Sequence, residues 1–113
     1  MMHPESNFQI AAVRMLRTNG YYCFSVPNGQ RLERKRAKIA VAEGLLAGVS
    51  DIIILLKLRP VFVEFKSLTG KGRQSADQKA FQKEVEARGF EYVVWNSWPQ
   101  VEAFIKANRS LRK

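Results

Sequence analysis

Asp51, Glu64 and Lys66 flank the two apolar runs of the most hydrophobic stretch of this sequence. Residues 48–66 read Gly-Val-Ser-Asp-Ile-Ile-Ile-Leu-Leu-Lys-Leu-Arg-Pro-Val-Phe-Val-Glu-Phe-Lys, so Asp51 precedes one apolar run and Glu64 and Lys66 close a second. A charge in apolar surroundings is costly unless it is paired or bound to a metal. Two carboxylates that converge beside an ammonium have a specific chemical use. Hard divalent cations such as Mg2+ bind through one or two carboxylates plus substrate phosphate. Such an ion neutralises phosphate charge and acidifies water, and a neighbouring lysine orients the nucleophile or stabilises developing charge. The chemistry these residue types suit is metal-assisted hydrolysis of a phosphodiester.

That reading requires two strands. Ile52–Leu56 and residues 61–65 are short β-favouring runs separated by Lys57, Leu58, Arg59 and Pro60, which predicts an antiparallel pair. The unbroken hydrophobicity of 52–56 predicts a central strand covered on both faces. Glu64 and Lys66, two residues apart, project from one face. Asp51 joins them there only if the connection holds an even number of residues, because an odd, bulge-free loop sends it to the opposite face.

The remaining chain supplies elements around this pair. Phe8, Ala11, Ala12, Met15 and Leu16 recur at helical spacing after Pro4 and stop at Asn19-Gly20, predicting a first helix. It carries Glu5 and Gln9 on one face. Glu5 is either an ordinary acid near a helix N-terminus or a site residue. Residues 21–26 read as a strand entering the breaker Pro27-Asn28-Gly29. A basic run with Arg31, Arg34, Lys35, Arg36 and Lys38 then leads into a second helix, placing cations next to the proposed site, where contact would be to a phosphate backbone. After Lys66 come a glycine-containing basic loop with Lys71 and Arg73 and a third helix opening at Ser75. Ser75-x-x-Gln78 has capping-box spacing, so Gln78 is a cap or a site residue. A strand over 92–95, parallel to the preceding one, and a last helix from Ser97 complete the chain, with 108–113 as a frayed basic tail. The expected fold is a single α/β domain over 1–113, ordered α-β-α-β-β-α-β-α, with a mixed four-stranded sheet and helices on both faces.

Ser50-Asp51 with Glu64-Phe65-Lys66 resembles the paired signature of the PD-(D/E)xK nucleases and their restriction-endonuclease-like core. More narrowly, Glu5 with Gln9, Pro27-Asn28-Gly29, Gly48-Val49-Ser50-Asp51, Glu64-Phe65-Lys66 and Ser75 with Gln78 resemble the virus-type replication-repair nuclease (VRR-NUC) domain, in its stand-alone phage and bacterial form. Ser50 stands where a proline is common. The resemblance implies Asp51, Glu64 and the Phe65 carbonyl as metal ligands, Glu5 joining directly or through water, Lys66 positioning the attacking water, and Gln78 assisting at the water or scissile phosphate. It also implies Asn28 beside the DNA, Mg2+ (with Mn2+ also supporting activity), a homodimer, and cleavage of branched DNA such as Holliday junctions.

Charge agrees with a polyanionic partner. Lys and Arg outnumber Asp and Glu by 19 to 10, a net charge of +9, with a pI near 10.1; such a balance favours nucleic acid. Cys23 is the only cysteine, no secretory signal opens the chain and no apolar run could span a membrane, so a cytoplasm is expected, and the resemblance implies that of a bacterium or a phage-infected host. Two alternatives share these features: a flap or nicking nuclease with the same site, and a non-catalytic nucleic-acid-binding module.

Overall fold

The structure is a computed structural model and describes residues 4–27 and 34–112. Its elements are α1 (Pro4–Thr18), β1 (Tyr22–Ser25), α2 (Arg34–Ala42), β2 (Ile52–Leu56), β3 (Arg59–Phe65), α3 (Ala76–Ala87), β4 (Glu91–Trp95) and α4 (Trp98–Ala107), followed by a 3-10 turn, Arg109–Leu111. One mixed sheet has the order β1-β2-β3-β4. The first two pairings are antiparallel and the last is parallel, as expected across an intervening helix.

The main core lies on one face of the sheet. Phe8, Ala12 and Leu16 recur every fourth residue of α1 and are all buried, as are Val101, Phe104 and Ile105 of α4. They pack on Ile52, Ile54, Val61, Val63 and Phe65. Edge-to-face aromatic contacts tie the layers: Phe8 to Phe65 at 5.3 Å and to Trp98 at 5.0 Å, and Trp95 to Phe104 at 5.4 Å between centroids. Burying one such ring contributes about 1.5–3 kcal/mol. α3 covers the other face, but only over β3 and β4, where Phe62 meets Phe81 and Phe90.

Three sequence expectations change here. Strand β2 is central by pairing yet fully covered on one face alone: Ile52, Ile54 and Leu56 are buried, whereas Leu55 is 41% exposed. The cause is the placement of α3, which leaves the β1–β2 half of its face open. Strand β3 begins earlier than expected, with Arg59 paired to Leu56 and Pro60 to Leu55. Strand β4 starts opposite Val61, so Pro60 lies beyond it and its missing N–H breaks no bond on that side. The C-terminal tail docks instead of fraying. Leu111 packs against the core, and its carbonyl accepts the Lys57 N–H at 2.7 Å.

Candidate active site

The hairpin decides whether the carboxylates meet. Leu56 pairs with Arg59, so the turn is the two residues Lys57 and Leu58, with Leu58 at φ 67°. An even loop keeps facing residues on one face. Continuing the register from Ile52 opposite Val63 sets Asp51 opposite Glu64, on the sheet face that α3 partly covers. Strand alternation brings Lys66 to the same face. Ser50, buried at this strand entrance, donates its hydroxyl to the Ile52 carbonyl at 3.3 Å. It closes the turn by a hydrogen bond where the related motif uses proline.

Glu64 is 1% exposed. Its Oε1 accepts a hydrogen bond from the Tyr92 hydroxyl. Its Oε2 is buried with no aligned donor, although Lys66 Nζ lies 3.2 Å away as an ion pair. Charge is therefore compensated while a lone-pair direction is left free. Lys66 Nζ also donates to Gln78 Oε1 at 3.0 Å. The same Oε1 accepts the Ser75 N–H at 2.8 Å, and Ser75 Oγ accepts the Gln78 N–H at 3.2 Å. The two sequence readings of Gln78 are thus compatible in space: it completes the capping box of α3 and holds the ammonium of Lys66.

Asp51 Oδ2 accepts the Phe65 N–H at 2.7 Å. The two groups of a strand residue point to one side, so the Phe65 carbonyl also faces β2. Burial pushes the Asp51 carboxyl above the usual range, with the charges of Glu64 and Glu5 adding to it and the Phe65 N–H and Lys66 opposing. Glu5 is exposed at the start of α1. Among the described residues no set of three or more His, Cys, Asp and Glu side chains forms a metal cage. A pair of carboxylates with one buried oxygen that accepts no hydrogen bond still fits a hard divalent ion, which takes its other ligands from water and phosphate.

The basic residues divide by position. Arg34 opens α2, and Lys35, Arg36 and Lys38 are exposed on it. Lys71 and Arg73 are exposed on either side of Gly72, which lies against the Lys66 stem: a Cβ there would be 3.2 Å from Lys66 Cδ. Asn28 and Arg31 lie outside the described residues. Two residues near the site escaped the sequence reading, Tyr92 and Gln74. Gln74 Nε2 reaches the Tyr92 hydroxyl at 3.4 Å and Gln82 Oε1 at 2.9 Å. Period-2 alternation along β4 was the available signal for Tyr92, but it means something only once Phe62 is known to pair with Tyr92.

A mixed four-stranded sheet between helices, with an aspartate entering one hairpin strand and Glu-x-Lys closing the next, is a restriction-endonuclease-like α/β fold. Within that class, a solved structure described as a VRR_NUC domain protein matches 98% of this chain and 92% of its own with a TM-score of 0.75, at 20% sequence identity. The chain has the fold of a VRR-NUC domain, as its motifs suggested. No protein-family model and no curated protein matches the sequence. At that identity the shared property is the fold, and the chemistry must be read from this chain's own residues.

Proposed function

We propose that this protein is a divalent-metal-dependent endonuclease that hydrolyses DNA phosphodiester bonds, with branched DNA such as four-way junctions as its substrate. One observation carries the reading. Glu64, 1% exposed, keeps Oε2 without a hydrogen-bond donor while facing Asp51 across the hairpin. A binding module on the same fold gains nothing from buried carboxylates that repel phosphate. Asp51 and Glu64 would hold Mg2+ or Mn2+, with the Phe65 carbonyl as a further ligand and Glu5 in the outer sphere. When bound, the ion supplies charge neutralisation at the phosphate and a more acidic water. Lys66, fixed by Gln78, orients the nucleophilic water and faces the charge that grows on the phosphoryl oxygens. Lys35, Arg36, Lys38, Lys71 and Arg73 hold the DNA backbone by charge.

A second copy of the chain is the proposed partner. Tyr22 and Phe24 on β1 and Leu55, paired with Tyr22, on β2 are all exposed on one face of the sheet, and an exposed apolar patch of this kind suits an interaction site. A two-fold dimer would offer two sites to the two strands cut at a junction. Light scattering should give twice the 12.9 kDa chain mass, and a monomer at micromolar concentration would remove this part of the proposal.

The deciding experiment is cleavage of labelled junction, flap, nicked and linear DNAs with Mg2+, Mn2+, Ca2+ or EDTA. Junction cutting with Mg2+ and Mn2+, lost in EDTA and in Asp51→Ala, is expected. Wild-type rates from Asp51→Ala would end the catalytic assignment. Preferential cutting of flaps or nicks would keep the site and replace the substrate.

A further inference from the structure

We propose that Tyr92 is the positioning residue for Glu64: its hydroxyl engages Oε1 and so presents Oε2 as the oxygen that binds the metal. This rests on the metal-nuclease reading above and names a residue that reading does not use. The terminal torsion of a glutamate is broad and two-fold. Held by the Lys66 ammonium alone, the Glu64 carboxylate could turn either oxygen toward it, or rotate between them. A hydrogen bond from a fixed donor to one oxygen removes that freedom.

Tyr92 is such a donor. It is 7% exposed and its ring meets Phe81 edge-on at 6.1 Å. It stands on β4 opposite Phe62, two residues before Glu64 and on the same sheet face. Gln74 fixes the sense of the bond. Its amide oriented so that Nε2 donates to Gln82 Oε1, Gln74 also donates to the Tyr92 oxygen, which leaves the phenolic proton for Glu64. Packing alone would be met by phenylalanine. The hydroxyl's partners are one side chain of the proposed metal site and one glutamine that orients it.

The test is Mn2+ binding to the DNA-free protein, followed by electron paramagnetic resonance and expressed per folded molecule, for the wild type, Tyr92→Phe and Glu64→Ala. Loss of an outer partner of a metal ligand commonly weakens binding about 10–100-fold, and that is expected for Tyr92→Phe. A merely structural hydroxyl would lower the melting temperature without changing the affinity of the molecules that remain folded. Wild-type affinity in Glu64→Ala would overturn the metal site itself. Lost binding in Glu64→Ala with wild-type affinity in Tyr92→Phe would leave the site standing and overturn the role of Tyr92. Should Tyr92→Phe fail to fold, proton NMR of the wild type decides. A slowly exchanging tyrosine hydroxyl signal, absent from Glu64→Ala, should shift as Mg2+ fills the site; a signal unmoved at saturating Mg2+ would overturn the proposal.

Discussion

Glu64 is a buried anion whose nearest cation is Lys66, with side chains 1% and 13% exposed. Removing one partner of such a pair strands the other charge in low dielectric, which costs about 3–5 kcal/mol. Lys66→Ala should therefore lose stability of about that size in the metal-free protein, besides losing cleavage, and Glu64→Gln on the same background should restore most of it. Urea melts of the single and double variants in EDTA check this. Asp51 behaves oppositely. Its folded carboxyl is raised, chiefly by burial, so the folded chain holds the proton more tightly than the unfolded chain. The resulting stabilisation is complete below the unfolded value, about 3.9, and is lost as pH rises through the folded one. Asp51→Asn keeps an oxygen for the Phe65 N–H and removes the charge. It should melt higher than the wild type at pH 7 without metal, and lose that advantage as pH falls below the ordinary aspartate range. A lower melting temperature at pH 7 would contradict the buried, raised carboxyl.

Among the elements, the segment that delivers Asp51 depends on close contact with α3. Gly48 has φ +86°, and a Cβ there would sit 2.3 Å from the Asp77 carbonyl oxygen and 2.4 Å from its carbon. Gly44 has φ +116° with nothing within 4 Å of its would-be Cβ. The two glycines separate backbone strain from steric exclusion. Left-handed backbone in a residue other than glycine costs roughly 1–3 kcal/mol. Gly44→Ala should show that cost alone. Gly48→Ala must also push the start of α3 away, so it should lose more stability and more cleavage, because Gln78, which holds Lys66, moves with α3. Chemical denaturation and single-turnover cleavage of both variants provide the comparison, and equal losses would mean that the approach to Asp77 is unimportant.

For the molecule as a whole, the net charge of +9 suits the polyanion proposed as its substrate. The proposed site claims Glu5, Asp51 and Glu64 from the ten acidic residues, so the surface elsewhere is more positive still. Lys35, Arg36 and Lys38 are exposed on α2. Replacing all three by Gln should weaken binding of every DNA sequence alike and flatten the dependence of log K on log salt by about 0.9 per residue that contacts phosphate. The chemical rate at saturating DNA should stay unchanged. Binding isotherms between low and physiological salt check the slope, and an unaltered slope would place the DNA elsewhere.

Much of this architecture is written locally. The fourfold spacing of Phe8, Ala12 and Leu16, the N-caps Ser75 and Ser97, and the breakers at Gly20 and Pro27 specify elements through contacts a few residues apart. The parity argument about Asp51 and Glu64 needs only strand alternation and the length of a turn. Contacts between distant residues were decided by the tertiary structure. The hydrophobicity of Ile52–Leu56 foretold burial but could not say that α3 would cover only β3 and β4, leaving Leu55 exposed. Leu111 looked like part of a basic tail, because nothing in 108–113 announces the apolar site and the Lys57 N–H that receive it. The Tyr92 hydroxyl meets Glu64 across 28 residues, and Gln78 bonds both its own helix cap and Lys66. Residue types and local periodicity determine which groups are available and which face each takes; which groups share a hydrogen bond depends on how helices and strands far apart in sequence pack together.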